Sequence, residues 1–202
     1  MTNIHDQILP VGTQIGVYEI KGTVKVSPFD ITYRAWNHHL KEQVKIQEYF
    51  PHDFAVRAND GLSVEPRSPE DKDNFDYGLK AFLDQAEMLT QIKHPNIVVA
   101  ENSLPFNGTA YLIMSIRDGV SLSKLIQSET SFAETELKFI LVSILNALQK
   151  IHEYKMVHAG IQPIAIFLGK DGEPLLTDFA AARLTIAART TRLVGELATG
   201  YA

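Results

Sequence analysis

The sequence predicts an α+β chain: a five-stranded antiparallel sheet with one main helix, followed by a partial, mostly helical second lobe. Three observations predict it. Apolar, β-branched and aromatic residues recur between turn-rich breaks over residues 17–49. Two long segments carry apolar residues three and four apart. The first of these helical segments falls between the third strand and the fourth.

In chain order, Val17–Val24, Ile31–Asn37 and Gln43–Tyr49 read as an antiparallel meander broken at Ser27-Pro28 and Asn37-His38-His39. Residues 52–74 are polar, contain Gly61, Pro66 and Pro69, show no sustained period, and read as a long surface connection. Phe75, Leu79, Phe82, Leu83, Ala86 and Leu89 then define an amphipathic helix that stops at His94-Pro95, because proline disfavours a helical predecessor. Asn96–Ser103 and Thr109–Ile116 supply two more strands around a Leu104–Gly108 turn. A second helix is expected from Phe132 to Tyr154, with Leu137, Ile140, Leu141, Ile144, Leu145, Leu148 and Ile151 in one stripe and Ser131 with Glu134 at capping-box spacing. Short apolar runs on either side of Gly169-Lys170-Asp171-Gly172 read as a hairpin. The division that follows is an extension over 1–16, a sheet lobe over 17–117 and a second lobe over 118–202, hinged near Gly119.

Composition bounds the function. The 202 residues carry 19 Lys+Arg against 24 Asp+Glu, a formal charge of −5, which excludes a general nucleic-acid binder with a basic face. Cysteine is absent, so disulfides, thiolate metal sites and a cysteine nucleophile are excluded. The first ten residues lack the basic and apolar regions of a signal peptide, and the apolar stretch Phe139–Leu148 is broken by Ser143 and Asn146. No membrane insertion is expected, and the chain is read as cytoplasmic.

The segments LPVGTQIGVYEI, ITY, VKIQEYFP, FLDQAEML, HPNIV, YLIMSIRDG, HAGIQPIAIFL, TDFAAAR and TGYA, in this order and spacing, resemble the bacterial branch of the eukaryotic-like Ser/Thr protein kinases. The resemblance runs from about residue 9 to the end. It implies a kinase-like fold with an ATP cleft between the lobes, and it makes the departures informative. The three positions of the Gly-rich loop over ATP are held by Lys25, Ser27 and Asp30, and a carboxylate about 4 Å from a phosphate costs roughly 4 kcal/mol at an effective dielectric of 20. The lysine of the third strand and its glutamate partner correspond to Gln47 and Gln85, an uncharged pair that can hydrogen-bond where the charged pair would stand. Lys45 shares the strand face of Gln47 and also lines the expected cleft, as does Met114. Three readings of Lys45 stand: it fills the adenine pocket, it replaces the phosphate lysine, or it extends to the rim.

By the same resemblance, the catalytic-loop aspartate, lysine and asparagine correspond to Gly160, Gln162 and Ala165, leaving Asp178 as the one metal-binding residue retained. A single carboxylate is a poor Mg²⁺ site, and a local turn role for Asp178 is the alternative. Leu89, His158, Phe179 and Met114 suit packing in a folded kinase scaffold. The reading is therefore a pseudokinase: no enzyme, no cofactor expected with weak ATP binding left open, and a regulatory or protein-interaction role in signalling. The alternatives are a divergent nucleotide-binding domain with weak or unconventional phosphotransfer, and a structural subunit completed by a partner or second copy. The chain stops where the family continues, so a truncated second lobe is expected. Leu137, Ile140, Leu141, Ile144 and Leu148 are then candidates to bind a protein partner or another copy, unless the tail after His158 covers them. The acid-free stretch with Arg183, Arg189, Arg192, Thr185, Thr190 and Thr191 reads either as a phosphate acceptor or as a solvated loop.

Overall fold

The structure is a computed structural model and describes residues 7–180. The Arg183–Arg192 stretch and the Thr199–Ala202 end lie outside the described residues. The chain divides into two compact units, one of residues 1–90 and 100–116, the other of residues 91–99 and 117–202.

The first unit is built on an antiparallel sheet of β1 (Gln14–Ile15), β2 (Tyr18–Val26), β3 (Asp30–Asn37), β4 (Glu42–Tyr49), β7 (Ala100–Phe106) and β8 (Thr109–Ser115), ordered β1-β2-β3-β4-β8-β7. The expected kinase-like α+β architecture is present, with one strand more than the five read from the sequence. β1 is two residues long and too short to show a period. The β7–β8 turn is also tighter than Leu104–Gly108. The strands run on to Phe106, and Asn107 (φ 53°) with Gly108 (φ 69°) closes a two-residue turn of the type whose twist matches the flanking strands. Glycine is required here, since a Cβ on Gly108 would approach the Val64 carbonyl oxygen to within 2.4 Å.

Residues 52–74 are more than a surface connection. Within them β5 (Ala55–Arg57) and β6 (Val64–Pro66) pair as a hairpin, and Phe54, Ala55 and Val64 are buried. Three-residue strands show no alternation, and Asp60 closes the loop by accepting the Leu62 and Ser63 backbone N–H groups, so the segment reads as polar coil. Helix α1 (Lys72–Gln91) follows and turns Phe75, Phe82, Gln85, Ala86 and Leu89 inward. Its contact with the sheet is seen at Tyr49, whose ring lies 5.4 Å from Phe75 and 5.8 Å from Phe82 and whose hydroxyl donates to the Phe75 carbonyl.

The opposite face of the sheet is equally dry. Ile31, Tyr33, Ala35, Val44, Ile46, Glu48, Tyr111 and Ile113 are all at 0% exposure. The Glu48 carboxylate accepts from Tyr33 (2.9 Å), Tyr111 (3.1 Å) and both terminal nitrogens of Arg57 (2.7 and 2.8 Å). Arg57 also donates to the Gln7 and Leu62 carbonyls, and the Leu9 N–H donates to the Tyr33 hydroxyl. The chain before β1 is thereby fastened across a face that the sequence marked only as alternating strand residues. Burial works against the charge of Arg57, but Glu48 outweighs it and holds the guanidinium above its ordinary range. Tyr33 and Tyr111 are pushed up, first by burial and then by the Glu48 charge.

In the second unit, residues 96–99 are loop rather than the start of a strand. The Asn96 side chain donates to the Pro174 carbonyl (2.7 Å) and the Val98 N–H to the Leu176 carbonyl (3.0 Å), which draws these residues away from the sheet ladder. A three-stranded sheet of β9 (Gly119–Ser121), β10 (Ile166–Gly169) and β11 (Pro174–Leu176) has the order β11-β10-β9, and the expected hairpin is its β10–β11 pair. A short helix α2 (Leu122–Gln127), capped by the Ser121 side chain, was not signalled because six residues show no period.

Helix α3 (Glu134–Glu153) packs against β11. Its N-terminus lies two residues beyond the expected capping box: Ala133 precedes the helix, and the Glu136 carboxylate accepts the Ala133 N–H (2.7 Å). The single stripe divides into two faces. Ile140, Ser143, Ile144, Ala147 and Ile151 are buried, whereas Leu137, Leu141 and Leu145 are 50–58% exposed and Leu148 is intermediate. Ile140 and Ile144 therefore belong to the core of this unit and are removed from the partner-face candidates. The packing argument that the tail after His158 covers the helix holds for this inner face only.

Candidate functional site

Residues assigned by resemblance to one nucleotide site lie partly in the first unit and partly in the second. In the first, register places Thr32, Gln47 and Leu112 side by side, and Arg34, Lys45 and Met114 side by side, on the sheet face that carries Tyr49. Lys45 and Met114 are half-buried there. Gln47 and Gln85 are 8% and 6% exposed, one on the sheet and one on the inward face of α1, as two uncharged amides beside the Tyr49–Phe82 contact.

The β2–β3 connection departs from the sequence expectation. Ser27 closes it: its hydroxyl accepts the Phe29 and Asp30 N–H groups (3.3 and 3.1 Å), and its own N–H donates to the Asp30 carbonyl (2.9 Å). Residues 50–52 then extend the pairing, Phe50 N–H to Phe29 and His52 N–H to Pro28, both 2.9 Å. Phe29 and Asp30 are consequently 5% and 2% exposed. Asp30 is buried at the start of β3 rather than a solvent-facing charge at the tip of a loop. Lys25 is half-buried on β2, at a register shift against β3. His52 is pushed below its ordinary range by burial, partly offset by the Ser27 backbone and the Asp30 charge, and its Nε2 is a buried atom without a hydrogen-bond partner.

In the second unit, His158 organises the residues around Gly160. It is 1% exposed, its ring lies 4.6 Å from that of Phe179, and its Nε2 sits 2.7 Å from the Thr177 carbonyl. A carbonyl can only accept, so Nε2 carries the proton and Nδ1 accepts the Gly160 N–H at 3.3 Å. The Ala180 N–H donates back to the His158 carbonyl (2.9 Å). The core role expected of His158 matches this geometry, and Leu89 (1%) and Phe179 (5%) are buried likewise. A Cβ on Gly160 would stand 2.9 Å from the Cβ of Ala180, so the backbone arrangement leaves no room for a side chain without a shift of Ala180. Ala165 is fully buried and its carbonyl accepts from Thr177, while Gln162 precedes the 3-10 turn Pro163–Ala165. Asp178 has φ 60°, a strained backbone for a non-glycine residue, and is half-buried. Among the described residues no cluster of three or more His, Asp or Glu forms a metal site, and no helix is long and apolar enough to cross a membrane.

A model of the protein kinase domain matches residues 64–198, more than half of the sequence. The chain belongs to the protein kinase domain family. Serine/threonine-protein kinase Nek1 of Mus musculus is 36% identical over 102 residues, which are 50% of this chain and 8% of that protein. The probable serine/threonine-protein kinase PknB of Lactococcus lactis is 27% identical over 111 residues, 55% of this chain and 18% of its own length. Among solved structures, PpkA-294 in its apo form superposes with a TM-score of 0.84 at 29% identity, covering 95% of this chain and 67% of that one. The Mycobacterium tuberculosis PknI kinase domain gives 0.66 at 17%, covering 86% and 62%, and shows likeness of fold alone. This kinase-family domain thus spans a small part of the curated relatives and about two thirds of the solved domains. Membership corrects one expectation: the chain was read as no enzyme, whereas its family and its Ser/Thr kinase relatives point to an enzyme.

Proposed function

We propose that this kinase-family domain acts as a regulatory, protein-binding module in the cytoplasm, working without a bound nucleotide as cofactor. The observation that carries the reading is the packing of Gly160 against Ala180, at the position that the resemblance gives to the catalytic aspartate. Gln47 and Gln85 support it, since an amide at each position keeps the sheet–helix packing without the charges that would hold phosphates. The exposed row Leu137, Leu141 and Leu145 on α3 offers apolar surface for a protein partner or a second copy.

A second reading is a divergent nucleotide-binding domain with weak or unconventional phosphotransfer. Lys45 is half-buried on the same strand face as Gln47, where its ammonium can substitute for the missing phosphate lysine in a divergent nucleotide site. Thermal melting with ATP, with and without Mg²⁺, separates the two. Nucleotide bound more tightly than about 100 μM stabilises by ~1.6 kcal/mol at about 1.5 mM. That is a shift of about 3–6 °C for a chain of this size. An unchanged melting temperature supports the regulatory module; a Mg²⁺-dependent shift abolished by Lys45→Met overturns it in favour of the second reading.

A further inference from the structure

His52 follows β4 and stands where three parts of the first unit meet. Its N–H donates to the Pro28 carbonyl (2.9 Å), and two residues earlier the Phe50 N–H donates to the Phe29 carbonyl (2.9 Å), so these bonds tie the β2–β3 turn to the end of β4. Its own carbonyl accepts from the Arg67 guanidinium, which brings in the chain that leaves β6. The imidazole packs on Phe50 with ring centroids 5.1 Å apart, and its Nε2 lies out of water with no hydrogen-bond partner. The charged groups that face it are Asp30 from β3, Asp53 beside it and Arg67 after β6, with the Ser27 backbone from the turn.

We propose that His52 is a pH-sensitive latch on the β2–β3 turn: the neutral ring keeps the turn closed on residues 50–52, and the protonated ring swings into water and frees it. The buried Nε2 is the cause. On the neutral imidazole it is an unpaired nitrogen; on the imidazolium it becomes a charged N–H donor out of water with no acceptor in reach, a far costlier state. Asp30 and Asp53 attract the charge and Arg67 repels it, but burial outweighs the attraction and holds the folded ring below its ordinary range. The least disruptive escape is local. His52 as a whole is half-buried, so a change of side-chain rotamer carries the ring to solvent, and the segment it leaves is joined to the turn through the two backbone bonds to Pro28 and Phe29. The turn stands at the position that the resemblance gives to the Gly-rich loop, so the latch puts that position under proton control whichever functional reading holds.

The test is amide exchange of the 202-residue chain, read residue by residue by NMR and divided by the intrinsic rates. Between about pH 7.5 and about pH 5.5 the protection of the Phe50 and His52 amides should fall about fivefold to tenfold, because the opened ring titrates at about 6.5 and the closed ring lower. Urea well below the unfolding midpoint should leave this acid-induced exchange unchanged, since a local opening exposes little surface. In His52→Gln the protection of the Phe50 amide should not depend on pH. In the unaltered chain the His52 ring resonances should titrate with a midpoint below about 6.5. Protection independent of pH, an acid effect that persists in His52→Gln, or exchange that quickens with low urea as whole-chain unfolding does would each overturn the latch. So would a ring midpoint at or above about 6.5, the result expected if Asp30 captures the charge and tightens the turn. The urea and ring-titration measurements use the unaltered chain and decide the matter even where the variant does not fold. Nucleotide-dependent melting decides between the functional readings separately.

Discussion

Replacing Arg57 by methionine tests how the outer face of the first sheet is held. Glu48 and Arg57 have side chains 0% and 4% exposed, and their two hydrogen bonds are 2.7 and 2.8 Å long. Removing the guanidinium leaves a carboxylate out of water with two tyrosine hydroxyls as its remaining donors. Breaking a buried pair from one side costs about 3–5 kcal/mol, which for a chain of this size lowers the melting temperature by about 10 °C. The same substitution removes the bonds to the Gln7 and Leu62 carbonyls, so amide exchange in residues 7–15 should quicken beyond the global effect. Chemical denaturation of Arg57→Met, Glu48→Gln and the double variant forms a cycle. The double variant should be more stable than the sum of the single losses predicts, by at least about 2 kcal/mol, because neither charge is then stranded. A loss below about 1 kcal/mol for Arg57→Met, or additive singles, would refute the claim that this pair fastens the N-terminal segment to the sheet.

Two further outcomes are expected. Ile144→Ala on α3 should cost about 2–4 kcal/mol and Leu141→Ala less than about 0.5 kcal/mol in denaturant titrations, since Ile144 is 5% exposed and Leu141 58%; equal losses would contradict the division of the helix into two faces. His52 is held below its ordinary range when folded, so the unfolded chain takes up more protons as pH falls through about 6.5. Stability should drop over that window, and less steeply in His52→Gln; identical pH profiles would exclude this histidine as the cause.

Much of the architecture was legible because period and punctuation are local. β2, β3 and β4 alternate strongly, α1 repeats its apolar residues every three or four positions, and the Gly169–Gly172 turn announces the β10–β11 hairpin. The family was legible in nine ordered segments, since motif residues occupy fixed places along the chain. Elements of less than two periods were not: β1, α2 and the strands of the β5–β6 hairpin contain too few residues to distinguish strand or helix from coil. Which side of a helix is buried was also beyond the pattern of α3. Leu137 through Ile151 are apolar around more than half its circumference, and tertiary packing, which includes contact with β11, separates buried Ile140 and Ile144 from exposed Leu141 and Leu145.

The site divides in the same way. Residue identity along the chain determined that uncharged amides stand at positions 47 and 85 and that position 160 has no side chain, because chemical type is a property of the sequence itself. Tertiary structure decided what these residues touch. It placed Asp30 in the core through the Ser27 turn, set Ala180 against Gly160, fixed the His158 tautomer on the Thr177 carbonyl, and joined Glu48 to an arginine nine residues away in a segment that reads as coil. Contact between residues remote along the chain depends on how the backbone returns, and the strength of a charge depends on whether water is excluded from it; neither is encoded in any short window of sequence.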